Sequence, residues 1–170
     1  KTAYEIRNCD WSSDCALPIL ATGAGQLRKT YTANGTFTFP VGDNTGTAEY
    51  SPVTLNFTSG SYASAYAGVN LVNSKYGSNT STTDFINRYW TVTTSGISSP
   101  VCTASFVYAD GDIAGTEANL FGGRYLTSSW NCLDAVTTAT NTISKAGITA
   151  FGDFTAGEAA DRKSTRLNSS

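Results

Sequence analysis

Carboxylates gather most densely at Asp110-Gly-Asp112-Ile-Ala-Gly115-Thr-Glu117, where acidic side chains stand at i, i+2 and i+7 around two glycines. Calcium takes about six to eight oxygen ligands and tolerates flexible loops, so Asp110, Asp112 and Glu117 are the candidate ligands for a calcium ion. The segment lacks the third Asp or Asn and the closing Glu of an EF-hand loop. Its plainer reading is a solvated connection in which Asp110 starts a turn and Glu117 faces water or caps a short helix. The same carboxylates, or Asp134 with Glu158, are formally available to a glycoside hydrolase, which needs an acid pair across its substrate. Nothing in their spacing specifies a pair, and no catalytic residue is assigned. Tyrosine joins an apolar ring face to a polar tip, so Tyr62, Tyr66, Tyr76, Tyr89 and Tyr125 would form a sugar-stacking platform if exposed together, and ordinary packing residues if not. Asn34-Gly-Thr36, Asn56-Phe-Thr58 and Asn79-Thr-Ser81 match the N-glycosylation sequon, which a chain this rich in Asn and Thr produces by chance.

Composition narrows the chemistry further. Histidine is absent, which removes Ser-His-Asp and Cys-His nucleophiles, His-bound zinc and imidazole acid-base catalysis. The 170 residues suit a single domain, and 40% hydrophobic residues suffice for a core. A net charge of −2 with scattered basic residues offers no footprint for nucleic acid. No apolar run approaches the length of a membrane-spanning helix, so no membrane insertion is expected. Ser and Thr number 19 and 26, giving a neutral, hydroxyl-rich surface that agrees with an extracellular location.

The elements that must position these residues are strands. Phe37, Phe39 and Val41 alternate with threonines, and Pro40, which cannot donate to a ladder, places that strand at an edge or ends it before the turn at 42–46. Val53, Leu55 and Phe57 alternate next, closed by Thr58-Ser59-Gly60. A weaker run covers Tyr62 to Val72, and a polar loop covers Asn73 to Thr83. Phe85 to Thr94 is rich in aromatic and β-branched residues, with Ile86, Trp90 and Val92 on one face and Trp90 the expected core residue. Val101 to Tyr108 places Cys102, Ala104, Phe106 and Tyr108 on one face; Trp130 to Val136, Ala139 to Ser144 and Ile148 to Thr155 complete the set. Ala114 to Leu120 is the one short helical turn expected. Strands at roughly ten-residue spacing predict an all-β fold, an antiparallel β-sandwich (Ig-like or jelly-roll-like) of seven to nine strands.

Cys102 and Cys132 lie on apolar faces of their strands, 30 residues apart. A disulfide between them would stabilise by roughly 3–4 kcal/mol in the loop-entropy account, in an oxidising compartment. The alternative is two buried thiols acting as small hydrophobes.

The ends differ from the middle. Lys1-Thr-Ala-Tyr-Glu-Ile-Arg-Asn-Cys-Asp-Trp-Ser-Ser-Asp14 and Asp161-Arg-Lys-Ser-Thr-Arg-Leu-Asn-Ser-Ser170 resemble translated sequencing-library adapter, which implies that residues 1–20 and 161–170 are non-native. Cys9 and Cys15 are accordingly not read as a metal or redox pair. Methionine is absent, including at position 1, so a fragment of a longer frame or a processed product is expected. The module itself is taken as residues 21–160.

Gln26-Leu-Arg-Lys29, Phe39-Pro-Val-Gly42 and Tyr50-Ser-Pro-Val-Thr54 are similar to a module of large secreted and surface proteins of Gram-negative bacteria that use type IX secretion. Asn87-Arg-Tyr-Trp90 resembles that module's Asn-Arg-x-Trp strand. Tyr108-Ala-Asp110 with Gly115, Glu117, Asn119 and Leu120 resembles its Tyr-x-Asp turn, although Gly111-Asp112 departs from the usual acidic-then-apolar pair. Asn141-Thr-Ile143, Gly147-Ile-Thr149, Phe151, Phe154-Thr155 and Gly157 resemble its closing strands. The resemblance spans about residues 26–158. It implies an extracellular β-sandwich unit that carries no catalytic residues and adjoins neighbouring modules of a parent chain; Cys102 and Cys132 are not part of its pattern.

The expected function is therefore a non-catalytic extracellular module, a spacer or adhesive surface in a larger secreted or cell-surface protein. Its partners would be neighbouring modules, with extracellular glycans or cell-surface proteins as contacts. A carbohydrate-binding module is the alternative and a glycoside hydrolase the third. No cofactor is expected beyond the calcium named above.

Overall fold

The computed structural model describes residues 4–6, 19–21 and 23–158. Of the adapter-like ends, only Tyr4–Ile6 and Ile19–Leu20 are among them; the rest of 1–20 and all of 161–170, with Cys9 and Cys15, lie outside the described residues. The chain is all-β and sandwich-like, as the alternation implies. In order, its strands are β1 (Tyr4–Ile6), β2 (Ile19–Leu20), β3 (Leu27–Tyr31), β4 (Gly35–Phe39), β5 (Val41–Asp43), β6 (Glu49–Tyr50), β7 (Val53–Val72), β8 (Phe85–Ile86), β9 (Tyr89–Val107), β10 (Ile113–Ala114), β11 (Leu120–Leu126), β12 (Ser129–Ala135), β13 (Thr142–Ile148) and β14 (Asp153–Glu158).

Two long strands organise everything else. β7 has 20 residues and β9 has 19, and they pair antiparallel from Val53↔Phe106 to Val72↔Tyr89. The alternating runs before and after residue 60, separate in the sequence pattern, are thus halves of one strand. The same holds on either side of residues 95–100. Register shifts fall between Phe57 and Tyr66, Ser64 and Ser99 adopt positive φ, and Gly96 has φ 69°. A Cβ at Gly96 would collide with the Ala63 carbonyl, so the corner requires glycine there. Bulges of this sort turn a strand from one layer into the next.

Around that corner the sheet folds over itself. One layer sets β4 beside the first half of β7, then the second half of β9, then β13. The other runs β1-β3-β7-β9-β14-β11-β12. Pairing is antiparallel except for β1 with β3 and β2 with β5. The layers meet through Phe106 of β9, stacked on Phe154 of β14 with centroids 4.4 Å apart and tilted against Trp90 at 5.4 Å. Val53, Leu55, Phe57, Ile86, Trp90, Val92, Cys102, Ala104, Phe106 and Tyr108 are all buried on the expected faces. Among the described residues β4 pairs only with β7, and it stops at Phe39, where Pro40 removes the next donor.

Several differences have clear causes. β3 and β11 carry no strong alternation: β3 holds Arg28-Lys29-Thr30 and β11 holds Gly122-Gly123. The glycines of β11 are a packing requirement, because a Cβ on Gly122 would strike Ile143 of the facing layer. A short 3₁₀ turn lies at Glu117–Asn119, inside the expected helical turn, and two more lie at Asp110–Asp112 and Thr138–Thr140. β12 faces the other way from the sequence reading. Leu133 points inward and Cys132 outward, so Cys102, fully buried on β9, and Cys132, exposed on β12, are not joined. The expected disulfide is absent because a one-residue change of parity moves a side chain to the opposite face.

Candidate functional site

Arg88 is the most heavily engaged polar side chain. It follows Ile86 and precedes Trp90 at the same parity, so the inward alternation of this segment carries a guanidinium into the interior, where it is fully buried. A buried charge requires partners. Arg88 donates Nε to Asp112 Oδ2 at 2.6 Å and Nη2 to Asp112 Oδ1 at 3.1 Å, a bidentate fork. Nη2 also meets Glu49 Oε2. Nη1 lies 2.8 Å from Asp43 Oδ2, an ionic contact whose angle is not that of a hydrogen bond.

These partners come from separate places: Asp43 ends β5, Glu49 opens β6, and Asp112 closes the 3₁₀ turn at 110–112. One guanidinium therefore ties the small β2-β5-β6 sheet to the main sheet. Asp43 also accepts from Thr45 N–H and Asn73 Nδ2, and Asp112 from Ala109 N–H. Burial works against the Asp43 carboxylate, but the Thr45 and Asn73 donors together with Arg88 hold it below the usual range. Glu49 goes the other way: burial and the nearby Asp112 charge push its carboxyl up despite Arg88. Arg88 itself, pulled down by burial, is raised overall by Asp112, Asp43 and Glu49.

This arrangement lends the calcium reading no support. Asp112 is turned inward to Arg88, Asp110 accepts from Asn141 Nδ2 at 2.5 Å, and Glu117 accepts from Tyr108 Oη at 2.7 Å. The three carboxylates serve three different contacts, and among the described residues no cluster of His, Cys, Asp or Glu is arranged to hold a metal. The two carboxylates named for an acid pair each have other partners. Asp134 is exposed and pairs with Lys145 at 2.8 Å. Glu158 Oε1 accepts the backbone N–H groups of Asp84 and Thr83 at 2.8 and 2.7 Å, which hold this carboxyl low and ionised, the wrong state for a general acid.

Three of the five nominated tyrosines do gather. Tyr76 packs against Tyr89 at 5.0 Å and Tyr125 at 5.3 Å, and a residue not nominated, Trp130, joins them at 5.6 Å from Tyr76 and 5.1 Å from Tyr125. The rings meet edge to face or tilted, so they form a half-buried cluster and not a flat platform. Tyr62 packs with Tyr31 and Phe57, and Tyr66 lies under the Arg28 guanidinium at 4.5 Å.

The polar segment 73–84 is fastened across β14 beside this cluster. Tyr76 Oη donates to Asp153 at 2.8 Å, Asn79 Nδ2 to the Ala156 carbonyl at 3.1 Å, and Trp130 Nε1 to the Ser78 carbonyl at 3.1 Å. Asn79, the last of the three sequon asparagines, is buried by that bond. At the far end Asp84 accepts from Thr116 N–H at 2.6 Å and Asn119 Nδ2 at 2.9 Å, and these donors hold its carboxyl low. Between segment, strand and indole lies a shallow cleft lined by Asn79, Ser81, Gly123, Trp130, Ala156 and Glu158 among others.

Sequence reasoning missed Arg88, Asp43, Glu49 and Trp130 as site residues. The signal for Arg88 was present, since a charge at an inward position of an aromatic strand demands buried counter-charges. Nothing local pointed to Asp43 and Glu49. No family model, no curated protein and no solved structure matches this chain.

Proposed function

We propose that the chain is a non-catalytic extracellular β-sandwich module, serving as a spacer or adhesive surface within a larger secreted or cell-surface protein of the type IX-secreted kind. The observation that carries the reading is how its ionisable groups are spent. Arg88, Asp43, Glu49 and Asp112 fasten two sheets together, while Asp84 and Glu158 fasten the 73–84 segment, so the polar chemistry is structural. The motif order from Gln26 to Gly157 and the low charge of the surface support the extracellular assignment.

Incubation with chromogenic glycosides and esters tests the catalytic side of this reading. We expect no turnover; hydrolysis that falls with Glu158→Gln or Asp134→Asn would overturn it. Limited digestion with the broad-specificity protease proteinase K tests the module, with a surviving core of about residues 23–158 expected; rapid cleavage within β7 or β9 would argue against a compact spacer.

A further inference from the structure

We infer that Glu49 is a proton-operated latch: protonated, it keeps β6 docked against the main sheet, and ionised, it lets residues 46–50 lift away. The charge count at Arg88 carries this. Asp43 and Asp112 already place two carboxylates on one guanidinium, a net charge of −1 among buried side chains, before Glu49 is added. A neutral Glu49 carboxyl can still accept from Nη2. A third carboxylate instead meets two repulsions for one attraction, on top of the cost of leaving water. Glu49 is also the carboxylate least able to stay. Asp43 is held by Thr45 N–H and Asn73 Nδ2, and Asp112 by Ala109 N–H and a bidentate fork. Among the described residues Glu49 has Arg88 alone, through an Nη2 that Asp112 shares.

Among the described residues three charged groups face Glu49: Arg88 from the link between β8 and β9, Asp43 from β5, and Asp112 from the 3₁₀ turn. That turn packs close, since a Cβ on Gly111 would lie 3.3 Å from Glu49 Oε1, while Asp110 is directed away to Asn141. Burial and the Asp112 charge push the Glu49 carboxyl up, in agreement with the count. The strand it holds is short. β6 has two residues and, among the described residues, pairs with β5 alone, so it is an edge. Its surroundings confine the movement. Ahead of it Thr45 N–H bonds to Asp43; behind it Ser51 donates N–H to the Val41 carbonyl and accepts from Trp90 Nε1. Gly46, at φ 81° with open space where a Cβ would stand, supplies a pivot. So short a pairing opens locally, well below the free energy of global unfolding. Opening uncovers the backbone edge of β5 at Gly42 and Asp43 and releases the exposed Tyr50, so pH decides which surface this corner presents.

Hydrogen exchange of the full chain, read by mass spectrometry at pH 4.5 and pH 8 with labelling times scaled to the intrinsic exchange rate, provides the test. A raised carboxyl contributes stability that is present at low pH and lost as pH rises through its folded value. Protection of residues 46–50 should therefore fall roughly fivefold or more by pH 8, and should lie well below that of β7, which marks the opening as local. The chain has no histidine, so no imidazole titrates across this range. Glu49→Gln, neutral at every pH, should keep the same protection of 46–50 at both. Equal protection at the two pH values in the parent chain, the same fall in Glu49→Gln, or exchange of 46–50 only together with β7 would overturn the latch.

Discussion

Replacing Arg88 by methionine removes the one cation that three carboxylates share, and the cost follows from where those carboxylates sit. Asp43 is fully buried and Asp112 3% exposed, so neither can turn to water; Glu49, with 23% of its side chain exposed, can. Asp43 keeps Thr45 and Asn73 as donors and Asp112 keeps Ala109, which offsets part of the loss. Breaking a buried pair from one side typically costs about 3–5 kcal/mol, and this site belongs in that range at pH 7. For a chain of this size the corresponding drop in Tm is roughly 6–20 °C. Urea unfolding followed by the fluorescence of buried Trp90 measures it. The cost must also shrink in acid. Without Arg88 the stranded carboxylates take up protons at higher pH, so variant and parent should converge as pH falls from 7 toward about 4. A loss under about 1 kcal/mol at pH 7, or one that does not change with pH, would refute the view that Arg88 holds the two sheets together through buried charge.

Glu49→Gln should behave oppositely: its raised carboxyl means that ionisation is disfavoured in the fold, so the stability it contributes is present below its unfolded pKa and lost as pH rises, and the variant should have a higher urea midpoint at pH 7 that vanishes in acid. Asp84 and Glu158, both held low, contribute stability at neutral pH that is lost as pH falls through their folded values, so Asp84→Asn should flatten the acid limb of a Tm-versus-pH curve. Gly115→Ala should destabilise by about 1–3 kcal/mol in urea, since Gly115 has φ 76° and a Cβ there would strike the Asp84 carboxylate and the Thr83 carbonyl. Burial pushes the Cys102 thiol up to about 12, so under native conditions a thiol reagent should modify Cys132 well before Cys102, and equal rates would contradict the inward and outward placement of the two.

The sequence by itself determined which side chains face inward along the strongly alternating strands. Period-two alternation is a local property, and it placed Phe39, Val53, Leu55, Phe57, Trp90, Phe106 and Tyr108 inside without reference to any other strand. It also ended β4 at Pro40 and removed imidazole chemistry. Where local pattern was diluted it failed: the glycines of β11 look like a loop until Ile143 and Trp130 are seen to occupy the space their side chains would take. Parity could not be read through the bulge opposite Phe121–Gly123, so Cys132 was placed on the wrong face. Only the tertiary structure decided that residues 53–72 and 89–107 are single strands turning a corner, that Arg88 meets Asp43, Glu49 and Asp112, and that Tyr76, Tyr89, Tyr125 and Trp130 share one patch. Each depends on which distant strands pair and in what register. That choice is made by the burial of the whole core, which no short window of sequence contains.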